Sequence, residues 1–316
     1  MSDSSYRASQ RRRKRRVRPQ FILFCFVCCL ILFGAGFLLG RSTVRKHTGD
    51  IVPAFHTDSQ SDPVPAGYHR ADDRDSGVGS LILVNNDVLY TFPESVEKVA
   101  ALERIGGNYL VRDGTILLEA EAQTAFDSML SAFANATGLH DVNITSAYRS
   151  YDEQKAVYEN SAAANGEEHA RRYVAVPGGS EHHTGLAVDL NRYDVSRGVC
   201  YDFDGSGDYG WIAQNCHKYG IILRYAADKE GITGIAEETW HFRYVGIPPA
   251  ALMAEKGLCL EEYVSLLRQY PCDGAHLRTD GYELYYCPAG NLCVPDSGDY
   301  TVSGDNQGGF IVTVKK

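Results

Sequence analysis

Beyond residue 50 this chain is short of positive charge. Its first 50 residues take 11 of the 31 Lys and Arg and 2 of the 40 Asp and Glu, which leaves 20 basic against 38 acidic side chains for the rest. So acidic a segment repels polyanions, which argues against nucleic acid as its partner and suits solubility outside a cell. No internal repeat is evident. Also missing after residue 50 are cysteine pairs at the close spacing of thiolate zinc sites. The six cysteines there, Cys200, Cys216, Cys259, Cys272, Cys287 and Cys293, are instead an even set at wide intervals. In an oxidising compartment such a set forms disulfides. Near neighbours are the expected partners, Cys200–Cys216, Cys259–Cys272 and Cys287–Cys293, although spacing alone does not choose among the connectivities.

What the chain does have begins with residues 21–40, "FILFCFVCCLILFGAGFLLG", an uncharged run of 20 residues. As a helix it would extend about 30 Å, the thickness of a bilayer's hydrocarbon core. A cleavable signal has a shorter apolar region and a small-residue cleavage site, whereas Arg41 follows this run directly. Eight basic residues precede it, from Arg7 to Arg18, and they hold the N-terminus in the cytoplasm. A single-pass anchor in the cell membrane is therefore expected, with the remainder extracytoplasmic. Residues 41–78 are rich in Asp, Ser, Pro and Gly and read as a flexible tether.

"SLILVNNDVLY" opens the folded part with a β-like run. Residues 115–138 space Leu118, Ala122, Phe126, Met129, Leu130 and Phe133 at helical intervals, with Gly138 as the closing cap. "VNITSAYR" reads as a strand entering a turn, and "SYDEQKAVYENSAA" as a helix with Ser150 as its N-cap. "GEEHARRYVAV" is a second helical stretch, "GWIAQNCHKYG" a helix closed by Gly220, and "IILRY" and "TWHFRYVG" are strands. From about Ala275, short β-like runs separated by Gly, Pro, Asn and Asp predict a small separate unit. "DFDGSGD" echoes half of a calcium loop, but Ala213 stands at the twelfth position where a Glu is required, so a Gly/Asp turn is expected.

The chemistry-bearing stretch is "GGSEHHTGLAVDL" (178–190). Alternation along "GLAVDL" turns Leu186, Val188 and Leu190 to the core and leaves Asp189 on a face of small residues with room for a metal. A catalytic zinc needs three protein ligands and one open position, and His182, Asp189 and His241 could supply them. Glu238, three residues before His241, could take a proton from water and return it to a leaving amine. The residues alone leave open the alternatives of a hydrogen-bonded core histidine, a turn-capping Asp and a solvated Glu.

"SEHHTGLAVD" and "EETWHFRYVG" closely resemble the paired motifs of the VanY-type D-alanyl-D-alanine carboxypeptidases, zinc peptidases of bacterial peptidoglycan, and "SAYRSYDEQ" resembles a third. The resemblance spans about residues 79–271. It implies an α+β fold with a central antiparallel sheet and flanking helices. It implies Zn2+ held by His182, Asp189 and His241, Glu238 as general base and acid, and Arg149 facing the oxygen of the scissile carbonyl. Tyr148, Ser150, Gln154 and Ser180 match positions near the bound peptide. His183 stands where Gln is common and Thr239 where Pro is common, which bears on subsite preference and not on the core chemistry. Adjacent residues of an extended chain point to opposite sides, so His183 is a poor fourth ligand.

The expected organisation is a cytoplasmic basic segment (1–20), a transmembrane helix (21–40), a tether (41–78), a zinc D,D-carboxypeptidase domain (79–274) and a β accessory unit (275–316). All proposed ligands precede residue 275, so a chain ending near Gly274 is expected to remain an active peptidase. The implied substrate is the peptidoglycan stem peptide and the implied state a monomer. The rival readings are an L,D-carboxypeptidase or endopeptidase with the same metal site, and a non-catalytic wall-binding or sensor protein.

Overall fold

The computed structural model describes residues 64–93, 100–101 and 107–316. The expected membrane span at 21–40 and the first part of the tether lie outside the described residues. Among those described, no helix is long and apolar enough to cross a membrane. Residues 64–78, expected as tether, carry a short strand β1 (Tyr68–Arg70) paired antiparallel with Cys293–Pro295.

A mixed sheet holds the site. In chain order its strands are β2 (Leu110–Val111), β3 (Val142–Ser146), β4 (Ala187–Asp194), β5 (Val199–Asp202), β6 (Ile221–Tyr225) and β7 (Glu238–Tyr244). The spatial order is β2-β3-β4-β7-β6, with β5 on the far end of β4. All pairs are antiparallel except β2 with β3. Leu186, Val188 and Leu190 enter the main core beside helix α1 (Ala120–Thr137), whose Phe126, Met129, Leu130 and Phe133 are fully buried, and Gly138 closes α1 at φ +75° as expected. Two further helices, α2 (Tyr151–Asn165) and α3 (Glu167–Tyr173), follow β3. The stretch after residue 209 gives only a six-residue helix α4 (Gly210–Asn215) before a 3-10 turn that ends at Gly220. Beyond β7 lie α5 (Ile247–Lys256) and α6 (Leu260–Leu267), which the sequence pattern had not marked.

The C-terminal segment folds as β8 (Leu277–Thr279), β9 (Tyr282–Pro288), β10 (Cys293–Pro295), β11 (Tyr300–Gly304) and β12 (Gly309–Lys315), with the sheet order β8-β9-β12-β11. It is not a separate unit: residues 60–316 form one compact body. Leu277, Leu284 and Ile311 share a core with Val245, Met253, Leu260 and Val264. The reason lies at 80–84. That stretch was expected to be a strand, but its backbone is spent elsewhere: Leu81 N–H donates to Ser303 Oγ at 2.8 Å and Leu83 N–H to the Asp305 carbonyl at 3.2 Å. Its side chains alternate between two cores, Ile82 and Val84 entering the one under the sheet of β2 to β7, Leu81 and Leu83 the one under the C-terminal sheet. The strap therefore stitches the two sheets together.

None of the three expected disulfides is present, for all six of these cysteines are free thiols. Cys200 is exposed on β5 while Cys216 is buried in the main core, which separates that pair. Cys272 instead packs with Cys287 and Cys293 in the C-terminal core.

Candidate active site

His182 lies on a 3-10 turn, Glu181–Thr184, that Ser180 caps and Gly185 ends at φ +74°, a conformation that suits glycine. The turn lifts His182 over the sheet. Its Nδ1 lies 2.6 Å from the Ala147 carbonyl, which can only accept, so Nδ1 carries a proton and Nε2 is the nitrogen that faces Asp189 Oδ2 at 3.1 Å. Asp189 on β4 is the register partner of His241 on β7. Its Oδ1 is 2.9 Å from His241 Nδ1, and the two imidazoles meet edge to face with centroids 5.1 Å apart. Donor atoms of His182, Asp189 and His241 all lie within 4.8 Å of one another. Nε2 of His182, Nδ1 of His241 and the Asp189 carboxylate therefore face one another at distances that a shared proton or a bound cation can bridge. The donor set, two imidazoles and a carboxylate, is one that zinc accepts.

Glu238 begins β7 and its Oε2 lies 3.8 Å from His241 Nδ1. Burial pushes its carboxyl up to about 7, with His241 opposing and Asp189 reinforcing that shift. Asp189 behaves oppositely: burial would raise it, but the neighbouring imidazoles hold it well below the usual carboxylate range. Two adjacent carboxyls are thus driven apart, one suited to bind a cation and one to exchange protons near neutrality.

Arg149 follows β3, where a bulge between Ile144 and Ser146 re-aims the chain. Its Nη1 donates to Gln154 Oε1 at 2.6 Å and its Nη2 to Ser146 Oγ at 2.9 Å, while Nη2 stands 3.7 Å from Asp189 Oδ2. Gln154 is itself held, its Nε2 donating to the Ala175 carbonyl at 2.7 Å. His183 is not among the grouped donors, but the extended chain expected to turn it away is instead the 3-10 turn Glu181–Thr184, and its own hydrogen bonds are what hold it elsewhere. Its Nδ1 is 2.7 Å from the Arg149 carbonyl, its Nε2 accepts from Gly178 N–H at 3.1 Å, and Phe92 and Tyr151 cover it. It fixes the backbone that carries Arg149.

Arg149, Gln154, Ser180, His182, Asp189, Glu238 and His241 converge on one cleft of about 190 Å³. Tyr148 and Ser150 do not line it. Ser150 Oγ is used at the start of α2, accepting from Glu153 N–H in a reciprocal capping box. Thr239 donates to the Phe203 carbonyl at 2.7 Å and so stands outside the chemistry. The cleft also contains residues not anticipated from sequence, Glu181, Tyr225 and Trp240 among them. Glu181 and Trp240 sit inside quoted motifs, but only tertiary neighbours reveal their setting.

A family model described as VanY, D-alanyl-D-alanine carboxypeptidase, matches residues 115–247. A D-alanyl-D-alanine carboxypeptidase of Enterococcus faecium is 31% identical over 242 residues, covering 75% of this chain and 75% of its own. Another, of Enterococcus faecalis (strain ATCC 700802 / V583), is 30% identical over 293 residues, 84% of this chain and 99% of its own. Among solved structures, the vancomycin resistance D,D-dipeptidase VanXYg in complex with a D-Ala-D-Ala phosphinate analog aligns with TM-score 0.68 and 32% identity, covering 79% of this chain and 98% of that one. With this similarity running well beyond the cleft, the chain belongs to the family of D-alanyl-D-alanine carboxypeptidases.

Proposed function

We propose that this protein removes the terminal D-alanine from peptidoglycan stem peptides, using a zinc ion held by His182, Asp189 and His241. The observation that carries the reading is the convergence of three ligand donors, a carboxyl near neutrality and a partly buried guanidinium on one cleft. When bound, zinc polarises the scissile carbonyl and lowers the pKa of water. Glu238 accepts the proton of the attacking water and passes it to the leaving D-alanine nitrogen, for which a carboxyl titrating near 7 is well matched. Arg149 donates to the carbonyl oxygen as negative charge develops there. Because Gln154 and Ser146 already fix its guanidinium, that donation needs little reorganisation.

All of these groups come from one chain, which supports action as a monomer. The apolar run at 21–40 with its preceding arginines supports an anchor in the cell membrane, with the cleft on the outer side where peptidoglycan lies.

Purified protein with zinc, incubated with pentapeptide and tetrapeptide stems, should shorten the pentapeptide by one D-alanine, read by mass spectrometry. Shortening of the tetrapeptide alone would make it an L,D-carboxypeptidase. No product from either would favour a wall-binding role.

A further inference from the structure

Glu181 lies beneath the site, fully buried, and its two oxygens have different company. Oε1 accepts from Arg224 Nε at 2.8 Å and from Arg243 Nη1 at 2.9 Å. Oε2 has no hydrogen-bond partner, nor has His241 Nε2, and these two buried atoms stand 3.5 Å apart. Both arginines are tied down in turn. Arg224 makes two bonds to Glu261, at 2.9 and 2.6 Å, and Arg243 Nη2 donates to the Ser80 and Ile82 carbonyls at 3.1 and 3.0 Å. Tyr225 fills the remaining side, its ring 4.9 Å from the imidazole and 4.9 Å from the Arg224 guanidinium carbon. The arginines on one side and the Tyr225 ring on the other hold the carboxylate in place.

Glu181 Oε1 accepts from both guanidinium groups, and the carboxylate oxygen left over, Oε2, faces His241 Nε2 as an acceptor. An acceptor facing Nε2 requires the imidazole proton there. We infer that Glu181 is a positioning residue, which holds His241 as its Nε2–H tautomer and so presents the Nδ1 lone pair, beside Asp189 and Glu238, to the metal. This rests on the zinc reading above and deepens it. Acceptors behind a ligating imidazole fix ring and tautomer together, and their loss commonly costs about 10–100-fold in metal affinity.

Glu181→Gln keeps the volume and can leave its carbonyl oxygen on the two arginines, which turns its amide N–H toward Nε2. The donor sense is then reversed and Nδ1–H is favoured, with its proton in the metal's place. The full chain with 15N-labelled histidine, loaded with zinc, is examined by long-range 1H–15N correlation, with His241→Gln identifying the signal. The wild type should show a protonated, slowly exchanging Nε2 and a metal-shifted Nδ1. Glu181→Gln should bind zinc about 10–100-fold more weakly in chelator competition and lose the protected proton. A zinc-bound wild type with Nδ1 protonated and Nε2 on the metal overturns the inference while leaving the zinc reading intact. So does a folded Glu181→Gln protein with unchanged affinity and spectrum. If that variant fails to fold, the wild-type spectrum decides alone. A wild type that binds no zinc removes the zinc reading and this inference with it.

Discussion

Glu238 and Arg149 divide the proposed chemistry, so their loss should read out differently. Glu238→Gln removes the proton carrier but no ligand. Turnover should fall by a factor on the order of 10²–10⁴ while metal analysis still finds zinc; an empty site would make Glu238 a ligand. Arg149→Ala should lower kcat by the equivalent of about 2.7–4 kcal/mol, the worth of one oxyanion donor. A change confined to KM would mean that Arg149 merely holds the ground state. The acidity of Glu238 also fixes the sign of a pH effect. Its carboxyl sits at about 7 chiefly because it is buried, so falling pH protonates it and stops it accepting from water. The rate, kcat/KM, should therefore decline on the acid side. A cation beside it stabilises the ionised form, so the midpoint of that decline should lie below 7.

Among the elements, the start of α2 shows how far a local pattern reaches. Ser150 was legible as an N-cap from its position before "YDEQ", and the structure gives it that role, with Glu153 completing the box. Its second expected role, near the peptide, came from resemblance, and its hydroxyl is not in the cleft. Ser150→Ala should accordingly cost about 1 kcal/mol of stability in thermal unfolding and leave KM unchanged. A raised KM at unchanged stability would return Ser150 to the substrate. The same distinction explains what could be read elsewhere. Alternation in "GLAVDL" suffices to turn Leu186, Val188 and Leu190 inward, and the ligands sit within compact motifs. The role of Glu181 depends on Arg224 and Arg243, 43 and 62 residues away, and no period in the sequence pairs them. Cysteine spacing misled for the same reason, since a sheet edge and a helical turn separate Cys200 from Cys216 in a way that sequence distance does not express.

For the molecule as a whole, the C-terminal sheet cannot be the detachable accessory that its composition suggests. Ending the chain near Gly274 would strip Leu277, Leu284 and Ile311 from the core of Val245 and Leu260, and would remove the Ser303 and Asp305 partners of the strap. The shortened chain should lose cooperative unfolding by calorimetry and fail to hold zinc, the reverse of the outcome expected from sequence. A cooperative transition with zinc retained would restore the two-unit view. The strap also bears on how the protein comes into being. Leu81 meets Ser303 across 222 residues, so the loop between them must close before either core is complete, and contacts so remote are slow to form. A chain synthesised or exported from its N-terminus has strand β7 and its histidine long before it has Ser303. Hydrolytic competence should therefore emerge only after Ser303 and the strand paired with it, β12, have been made, long after every residue of the cleft is in place.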